Sequence, residues 1–453
     1  MHNVVIVGAG PAGLSAALAA AAAGAPVLLL DSNQRLGGQY WRNSSEPIES
    51  QKDQHFDLDT GMLLMNAVKA RKEITVWNGA QIWSASHKDG VNTLRVLHQG
   101  EEKIINTANL VLCTGAYDRT LPFPGWTTSG VMTPGGAQSL LKGHGVVAGK
   151  AIVVSGTGPF LLPVATALAK SGAHVEIIEA QSPLRWALSP LALLLNPGKF
   201  PELIHYASAI VRLKIKVSFG SAVTEYHSGV AQVSKVRSNL SIRKKSVRNI
   251  NADVVATGWG FLPDVTLGGI LGCAQTLDRD ETVVFEVDKE QRASARNIWI
   301  AGEATGIGGA DLALAEGAIA GLSATGSRIP AGMRWKRFTK RLFAKALQRS
   351  YPVGGGWQEW LRDETVICRC EEVSCQEIVE SVQELGAEDA RTSKLFTRAG
   401  MGLCQGRVCS RNVSDLVAGT TKCSVSRNER LAASNRPIAA PISLGVLGDG
   451  IAG

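Results

Sequence analysis

Val4-Val5-Ile6-Val7-Gly8-Ala9-Gly10-Pro11-Ala12-Gly13, then an Ala/Leu run, then Val27-Leu28-Leu29-Leu30-Asp31: this stretch decides the fold. It reads as a short buried strand, a glycine-rich turn, a helix and a second strand that ends in an acid. Gly8 permits a tight turn, Gly10 lets backbone approach a pyrophosphate, and Gly13 lets the helix lie close to the strand. The helix that opens with Pro11 and Ala12 offers unpaired N–H groups and its dipole to phosphates. Asp31, followed by Ser32, stands 23 residues beyond Gly8, where an acid grips an adenosine ribose hydroxyl. A lone GxGxxG is weak against a chance glycine turn. Here strand, helix and acid agree on a dinucleotide cradle.

Beyond Asp31, Gly37-Gly38-Gln39 forms a glycine-bearing loop and residues 43–60 are polar and loop-like. A helix is expected from Gly61 to Arg71, and strands around Ile74–Ala85 and Thr93–Leu97. Ala108 to Gly115 is another buried strand, ending in Thr114-Gly115 and closed by Pro122-Phe123-Pro124-Gly125. The pattern then repeats. Ala151-Ile152-Val153-Val154-Ser155 leads into Gly156-Thr157-Gly158-Pro159, a helix, and a strand ending at Glu179, again 23 residues past the first glycine. A second Thr-Gly strand end stands at Thr257-Gly258. Asn297 to Ala304 is a last strand, followed by a small-residue helix over 310–322. The expectation is an α/β chain with two nucleotide-binding modules, residues 123–282 inserted into a module built from 1–122 and 283–330. The third fingerprint position of the second module is Leu161, which would push helix and strand apart and crowd the turn.

The chain has 453 residues, 45% hydrophobic and 19% charged, which suits two to four globular domains. Its net charge is +8, and much of the excess is local: Arg334 to Arg349 carries seven Lys/Arg and no acid. The N-terminal apolar run lacks a basic flank and is interrupted by glycines, so it is not read as a secretion signal. No uninterrupted apolar stretch is long enough to span a bilayer. A cytoplasmic protein is expected, with the inner face of the membrane as a peripheral alternative and no nucleic-acid partner. Eight cysteines in that setting argue for metal or redox chemistry and not for a disulfide framework. Cys113 and Cys273 stand alone in apolar settings and read as packed core residues. The N-terminal half has no CxxC, so a dithiol shuttle is not expected.

Trp335, Phe338, Leu342, Phe343, Ala346 and Leu347 recur at helical spacing between basic residues. Residues 331–360 therefore read as an amphipathic linker packed on the first module, with an anionic-lipid contact as the alternative. Tyr351-Pro352-Val353-Gly354-Gly355-Gly356 marks a boundary. Residues 361–425 carry Cys368-Arg369-Cys370-Glu371-Glu372 and Gly400-Met401-Gly402-Leu403-Cys404-Gln405-Gly406-Arg407-Val408-Cys409. Four thiolates on two loops, Cys368, Cys370, Cys404 and Cys409, are the ligand count of a [2Fe–2S] cluster. Tetrahedral zinc is the alternative, for which C-x-C is tight. Cys375 and Cys423 fall outside this pattern and read as free thiols. Residues 426–453 read as an extended tail.

The order GxGxxG, Thr-Gly, GxGxxx, Thr-Gly, Ala-Gly-Glu over residues 1–330 resembles the glutathione-reductase-like flavoproteins with two dinucleotide-binding domains. The resemblance implies FAD on the first module, at Gly8, Gly10, Pro11, Ala12, Gly13, Asp31, Ser32, Gly38, Gln39, Thr114 and Gly115, with Gly302 and Glu303 beside the ribityl and pyrophosphate. It implies NAD(P) or another adenine nucleotide at Gly156, Gly158 and Glu179, and Leu161 argues against NAD(P). The cysteine domain resembles the BFD-like [2Fe–2S] fold. Its two motifs, the stretch Thr114 to Trp126 and the tail from Arg436-Pro437 to Leu444 are similar to the large FAD-binding subunits of heteromeric amino-acid and amine dehydrogenases, the opine oxidase, hydrogen cyanide synthase and proline or D-hydroxyproline dehydrogenase group.

That resemblance implies that the C–N bond of an amino acid, imino acid or opine is oxidised on a separate FAD-containing beta subunit; a small gamma subunit is a further candidate partner. Electrons would pass from the partner's flavin through [2Fe–2S] and FAD here to a quinone or other acceptor. The residues themselves offer no catalytic constellation: eight scattered histidines, of which His144 reads as structural or helix-terminal, and no adjacent acid/base pair. A stand-alone NAD(P)H-dependent reductase and a non-catalytic scaffold are the competing readings.

Overall fold

The computed structural model describes residues 3–43 and 57–449, so most of the polar loop expected over 43–60 lies outside the described residues. Five apolar runs become a parallel sheet in the order β20-β7-β1-β2-β3: β1 Val4–Val7, β2 Val27–Asp31, β3 Ile74–Asn78, β7 Leu110–Leu112 and β20 Ile298–Ile300. β1, β2, β7 and β20 are buried almost throughout, as strands covered on both faces must be. One cover is the helix Pro11–Ala22, which lies against the helix Ala310–Ala324. Their backbones come so close that a Cβ on Gly317 would sit 2.0 Å from the Ala12 carbonyl oxygen. Alanine and glycine are thus used for contact distance, not for propensity.

An antiparallel meander, β4 Gln81–Lys88, β5 Val91–His98 and β6 Glu101–Thr107, crosses from β3 to β7. The single strand expected over Ile74–Ala85 is two, broken at Gly79, whose φ of +66° reverses the chain. β6 escapes a sequence reading because its Glu/Lys-rich face is largely exposed and lacks apolar alternation. The helix expected from Gly61 begins earlier, at Leu58.

The second module repeats the design in the order β12-β11-β10-β16-β9: β9 Val131–Met132, β10 Ala151–Gly156, β11 His174–Glu179, β12 Lys216–Phe219 and β16 Val254–Gly258. Its meander is β13 Ser221–His227, β14 Val230–Val236 and β15 Ile242–Asn251. The chain enters and leaves through an antiparallel pair, β8 Ala116–Asp118 and β17 Phe261–Pro263. The boundary expected at 282 falls late. Val265, Leu267, Leu271 and Cys273 already pack with Val5 and Leu110 of the first module, and the hairpin β18 Gln275–Leu277 and β19 Val283–Phe285 comes next there. No break in composition marks this return.

The linker is a helix, Ala331–Ser350, packed on Ala310–Ala324. Four of its seven basic side chains are spent on internal acids: Arg334 on Glu290, Lys340 on Asp311, Arg337 and Arg341 on Glu316. Trp357 and Trp360 then plug the core of the second module beside Trp259. In the C-terminal domain the hairpin β21 Val366–Cys368 and β22 Val373–Ser374 leads into the helix Cys375–Gln383, closed by a Ser374/Glu377 capping box. Ile367, Ile378, Val413 and Val417 form its core with the helix Ser410–Thr421. The tail is not simply extended: it holds helices Arg427–Ala432 and Leu444–Asp449, and Ala439 N–H bonds the Trp83 carbonyl at 2.7 Å.

Candidate functional site: two nucleotide cradles and a cysteine cluster

Gly8, Gly10, Pro11, Ala12, Asp31, Ser32, Gly38, Gln39, Thr114, Gly115, Gly302 and Glu303 line one cavity of about 1420 Å³. That exceeds the volume of an ordinary small-ligand pocket, roughly 300–1,000 Å³. Gly13 stands behind it. A Cβ there would lie 1.7 Å from the Gly8 carbonyl oxygen, so its part is helix–strand contact. The Asp31 carboxylate accepts bonds from Ala9 N–H and Asn33 N–H, bracing the turn it is expected to serve. Gly37 N–H bonds the Ala9 carbonyl at 2.9 Å and pins the Gly38 loop against the fingerprint. Thr114 donates to the Asp264 carbonyl at 2.6 Å, tying the Thr-Gly turn to the returning chain. Glu303 accepts Gly308 and Gly309 N–H at 3.0 and 2.9 Å, and burial lifts its carboxyl to about 7.

Sequence reasoning misses two residues of this site. Glu316, fully buried, accepts Gly302 N–H at 3.1 Å and the Thr305 hydroxyl at 2.9 Å and pairs with Arg341 and Arg337 of the linker helix. The signal that could have found it is an acid in the middle of an Ala/Leu/Gly helix, beyond the first turn that Asp311 occupies. Lys142 lines the same cavity at 4% exposure, and burial pulls its ammonium down to about 7. His144 is the last residue of the same helix, Pro134–His144.

The second cradle opens into the same cavity through Thr157, Gly158, Leu161 and Glu179, whereas Gly156 packs against the Gly258 carbonyl. Leu161 is buried and opens its helix, which thus begins five residues past Gly156; the first module's helix begins at Pro11, three past Gly8. The turn before the Leu161 helix is bonded three residues back, Leu161 N–H to the Gly158 carbonyl at 3.2 Å and Leu162 N–H to the Pro159 carbonyl at 3.1 Å, where Leu14 N–H of the first module reaches four back to the Gly10 carbonyl at 2.9 Å. Glu179 is held by Thr157 Oγ1 at 2.7 Å and by Gln181 and Gly158 N–H at 2.9 Å each, and burial raises it to about 7.

The four cysteines of the two motifs converge. Cys409 lies against Cys368 and Cys404, and Cys404 against Cys370. Gly400 N–H points at Cys368 Sγ, 3.4 Å away. The Cys409 thiol and neighbouring backbone N–H groups bring Cys404 down to about 4 and Cys368 to about 6, while Cys409 is raised. A side chain at Gly402 would strike Cys370 Cβ at 2.2 Å. The sulfurs follow one another in the order Cys368, Cys409, Cys404, Cys370. Four thiols in a string with N–H donors fit a two-iron cluster. Cys113 and Cys273 are buried with their thiols raised by desolvation, Cys375 is buried at a helix start, and Cys423 is exposed.

The cluster loop is bonded to the flavin side. Arg407 donates to Thr266 Oγ1 at 3.3 Å and to the Ala439 carbonyl at 2.6 Å, and both residues line the large cavity. Asn412 bonds the Thr120 carbonyl at 3.1 Å, and Trp126 Nε1 the Val366 carbonyl at 2.6 Å.

Against known proteins, the pyridine nucleotide-disulphide oxidoreductase model matches residues 2–319 and the BFD-like [2Fe-2S] binding domain model residues 366–418. The A subunit of opine oxidase from Rhizobium meliloti is 34% identical over 93% of this chain and 83% of its own. The HcnB subunit of hydrogen cyanide synthase from Pseudomonas aeruginosa is 32% identical, over 92% of this chain and 93% of its own. The backbone resembles that of L-proline dehydrogenase from P. horikoshii, with a TM-score of 0.68 and 20% identity over 98% of this chain and 79% of that one, a likeness of fold. With FAD implied by the first match and a [2Fe–2S] cluster by the second, this chain belongs to the pyridine nucleotide-disulphide oxidoreductase family, beside the opine oxidase A and hydrogen cyanide synthase HcnB subunits.

Proposed function

We propose that this chain is the electron-relay subunit of a heteromeric dehydrogenase that oxidises the C–N bond of an amino acid, imino acid or opine. The observation that carries the reading is the joining of a flavin cavity and a cysteine cluster by Arg407 within one polypeptide. Bound there, FAD exchanges electrons singly or in pairs and the cluster carries them one at a time. The chain's own residues hold, space and insulate these groups. Gly8, Gly10, Pro11, Ala12, Gly13, Asp31, Ser32, Gly38, Gln39, Thr114, Gly115, Gly302 and Glu303 are assigned to FAD, and Cys368, Cys370, Cys404 and Cys409 to the cluster. The relatives' names are those of subunits of larger enzymes. The C–N bond would break on an FAD-containing partner, with a quinone or similar acceptor downstream. Purification with the product of a neighbouring gene, then an amino-acid and opine screen with an artificial acceptor, tests this. Substrate-dependent turnover that disappears in Cys404→Ser is expected; unchanged turnover in that variant would overturn it.

The stand-alone NAD(P)H reductase is less well supported. Leu161, buried at the third fingerprint position, works against a pyridine nucleotide in the second cradle. NAD(P)H should therefore leave the flavin of the isolated chain oxidised, which an anaerobic absorbance titration checks.

A further inference from the structure

The connection between β11 and β12 is a helical excursion that the relay does not use. It consists of the turn Pro183–Leu188 and the helices Pro190–Leu194 and Lys199–Arg212. A helix joining parallel strands ordinarily buries its apolar stripe on the sheet. This one turns part of the stripe, Ile204 and Val211, outward and sets the rest, Phe200, Leu203 and Ala207, at the mouth of the cavity. Phe200, Leu203, Ile204, Ala207 and Val211 follow the i, i+3, i+4, i+7, i+11 pattern of one helix face, and all five are exposed, Ile204 at 65% and Val211 at 78%. Ala209 is the buried residue of that helix. On the shorter helix Leu191 and Leu194 are 56% and 75% exposed. Contiguous exposed apolar surface of this kind marks a contact site.

The linker helix lies alongside. Arg349 donates to the Leu188 carbonyl at 3.0 Å, and the Trp186 and Phe343 rings meet at 5.4 Å. It adds Trp335 and Phe338, 60% and 55% exposed, with ring centroids 5.5 Å apart. The charges around this face are mostly basic. The excursion holds Arg185, Lys199 and Arg212; Lys199 pairs with Glu202 at 2.8 Å and with Asp311 of the neighbouring helix at 3.1 Å, which leaves Arg185 and Arg212 for an outside anion. The linker helix adds exposed Lys336 and Lys345 and has no acid.

We propose that this face docks on an anionic membrane surface, with the Leu/Ile/Phe stripe in the boundary between headgroups and acyl chains and the Lys/Arg rim on the lipid phosphates. An apolar stripe with Trp and Phe at its edge and basic residues around it has the chemistry of an interfacial helix. The cavity gives the face a purpose. Trp186, Leu193, Phe200, Leu203 and Phe343 also line the flavin cavity, so its apolar end abuts the docked face. A lipid-soluble acceptor could then reach the cavity without crossing water. That last step rests on the relay reading; the docking itself does not.

Flotation of the holo-chain, by itself and with its partner, tests docking. The vesicles are pure phosphatidylcholine, or phosphatidylcholine with about one third phosphatidylglycerol. Binding to the anionic vesicles is expected, weakened by salt and several-fold poorer on neutral ones. Leu194→Glu with Ile204→Glu changes two exposed side chains and should weaken binding at least about tenfold while flavin and cluster absorbance persist. Trp335 emission should shift to the blue on anionic vesicles, as the difference from Trp335→Phe reports. Failure of the wild type to float, or equal flotation of the double variant, overturns the proposal. So does a double variant that loses the partner but still floats, since the face would then be a protein interface. Reduction of flavin and cluster by substrate is a separate readout, so a failed relay leaves the flotation result standing.

Discussion

Glu316 shows how one residue couples distant parts of this chain. It is fully buried, it accepts the backbone N–H of Gly302 in the flavin cradle, and Arg341 and Arg337 of the linker answer its charge. Both arginines are about one fifth exposed, 22% and 19%, so solvent shares the load. Glu316→Gln should cost on the order of 2–3 kcal/mol, below the ~3–5 kcal/mol seen when a fully buried pair is broken. A lower melting temperature and faster release of FAD in Glu316→Gln would check it. Glu179 and Glu303 behave differently, since burial raises both to about 7. At these two carboxyls the folded chain therefore holds more protons than the unfolded one between the ordinary glutamate range and about pH 7. Their contribution to stability falls as pH rises through that window and levels off above it. Glu179→Gln, an amide that keeps the bond from Gly158, should flatten part of this slope in urea titrations between pH 5 and pH 8. An unchanged slope would mean that Glu179 is charged in the fold.

At the scale of elements, the linker is where sequence and structure diverge most usefully. Its periodic apolar residues announce a helix, but not that four of its cations would be consumed by Glu290, Asp311 and Glu316, since those acids lie on other elements. Trp357, fully buried in the second module's core, fastens the segment that leads from this helix to the cysteine domain. Trp357→Ala should lose about 3–5 kcal/mol and free the cysteine domain for proteolysis near residues 351–365. Limited proteolysis with mass spectrometry reads this. Both fingerprints, both Thr-Gly strand ends and the four cysteines are legible in the sequence because each is a local pattern with a local cause: a turn, a close contact, a donor set. Asp31 and Glu179 are found by spacing alone, and each braces its own loop. The illegible part is long-range. The return at β17 depends on pairing Phe261–Pro263 with Asp118–Ala116, and the outward stripe on Lys199–Arg212 is a matter of which face packs, not of which residues alternate. Leu161 reads as a crowding residue; the chain delays its helix instead.

At the scale of the whole molecule, three units meet along one seam, and Arg407 is its stitch. Its guanidinium reaches from the loop between Cys404 and Cys409 to Thr266 of the flavin module and Ala439 of the tail. The neighbouring Arg436 bonds the Gln405 carbonyl at 3.0 Å, and Ala439 is itself tied to Trp83 of the first meander. The tail therefore closes the cysteine domain onto the flavin module like a strap. If the relay works through this seam, its efficiency depends on the distance the strap fixes, not on either cofactor site alone. Arg407→Ala removes these bonds across the seam and no proposed cofactor ligand. It should leave the flavin and cluster spectra intact and slow electron exchange between them, so that rapid mixing with substrate shows one centre reducing well before the other. Arg407→Lys, which keeps the charge but cannot reach both partners at once, should restore little. Matched reduction of the two centres in Arg407→Ala would mean that the seam holds the domains together without setting the electron path.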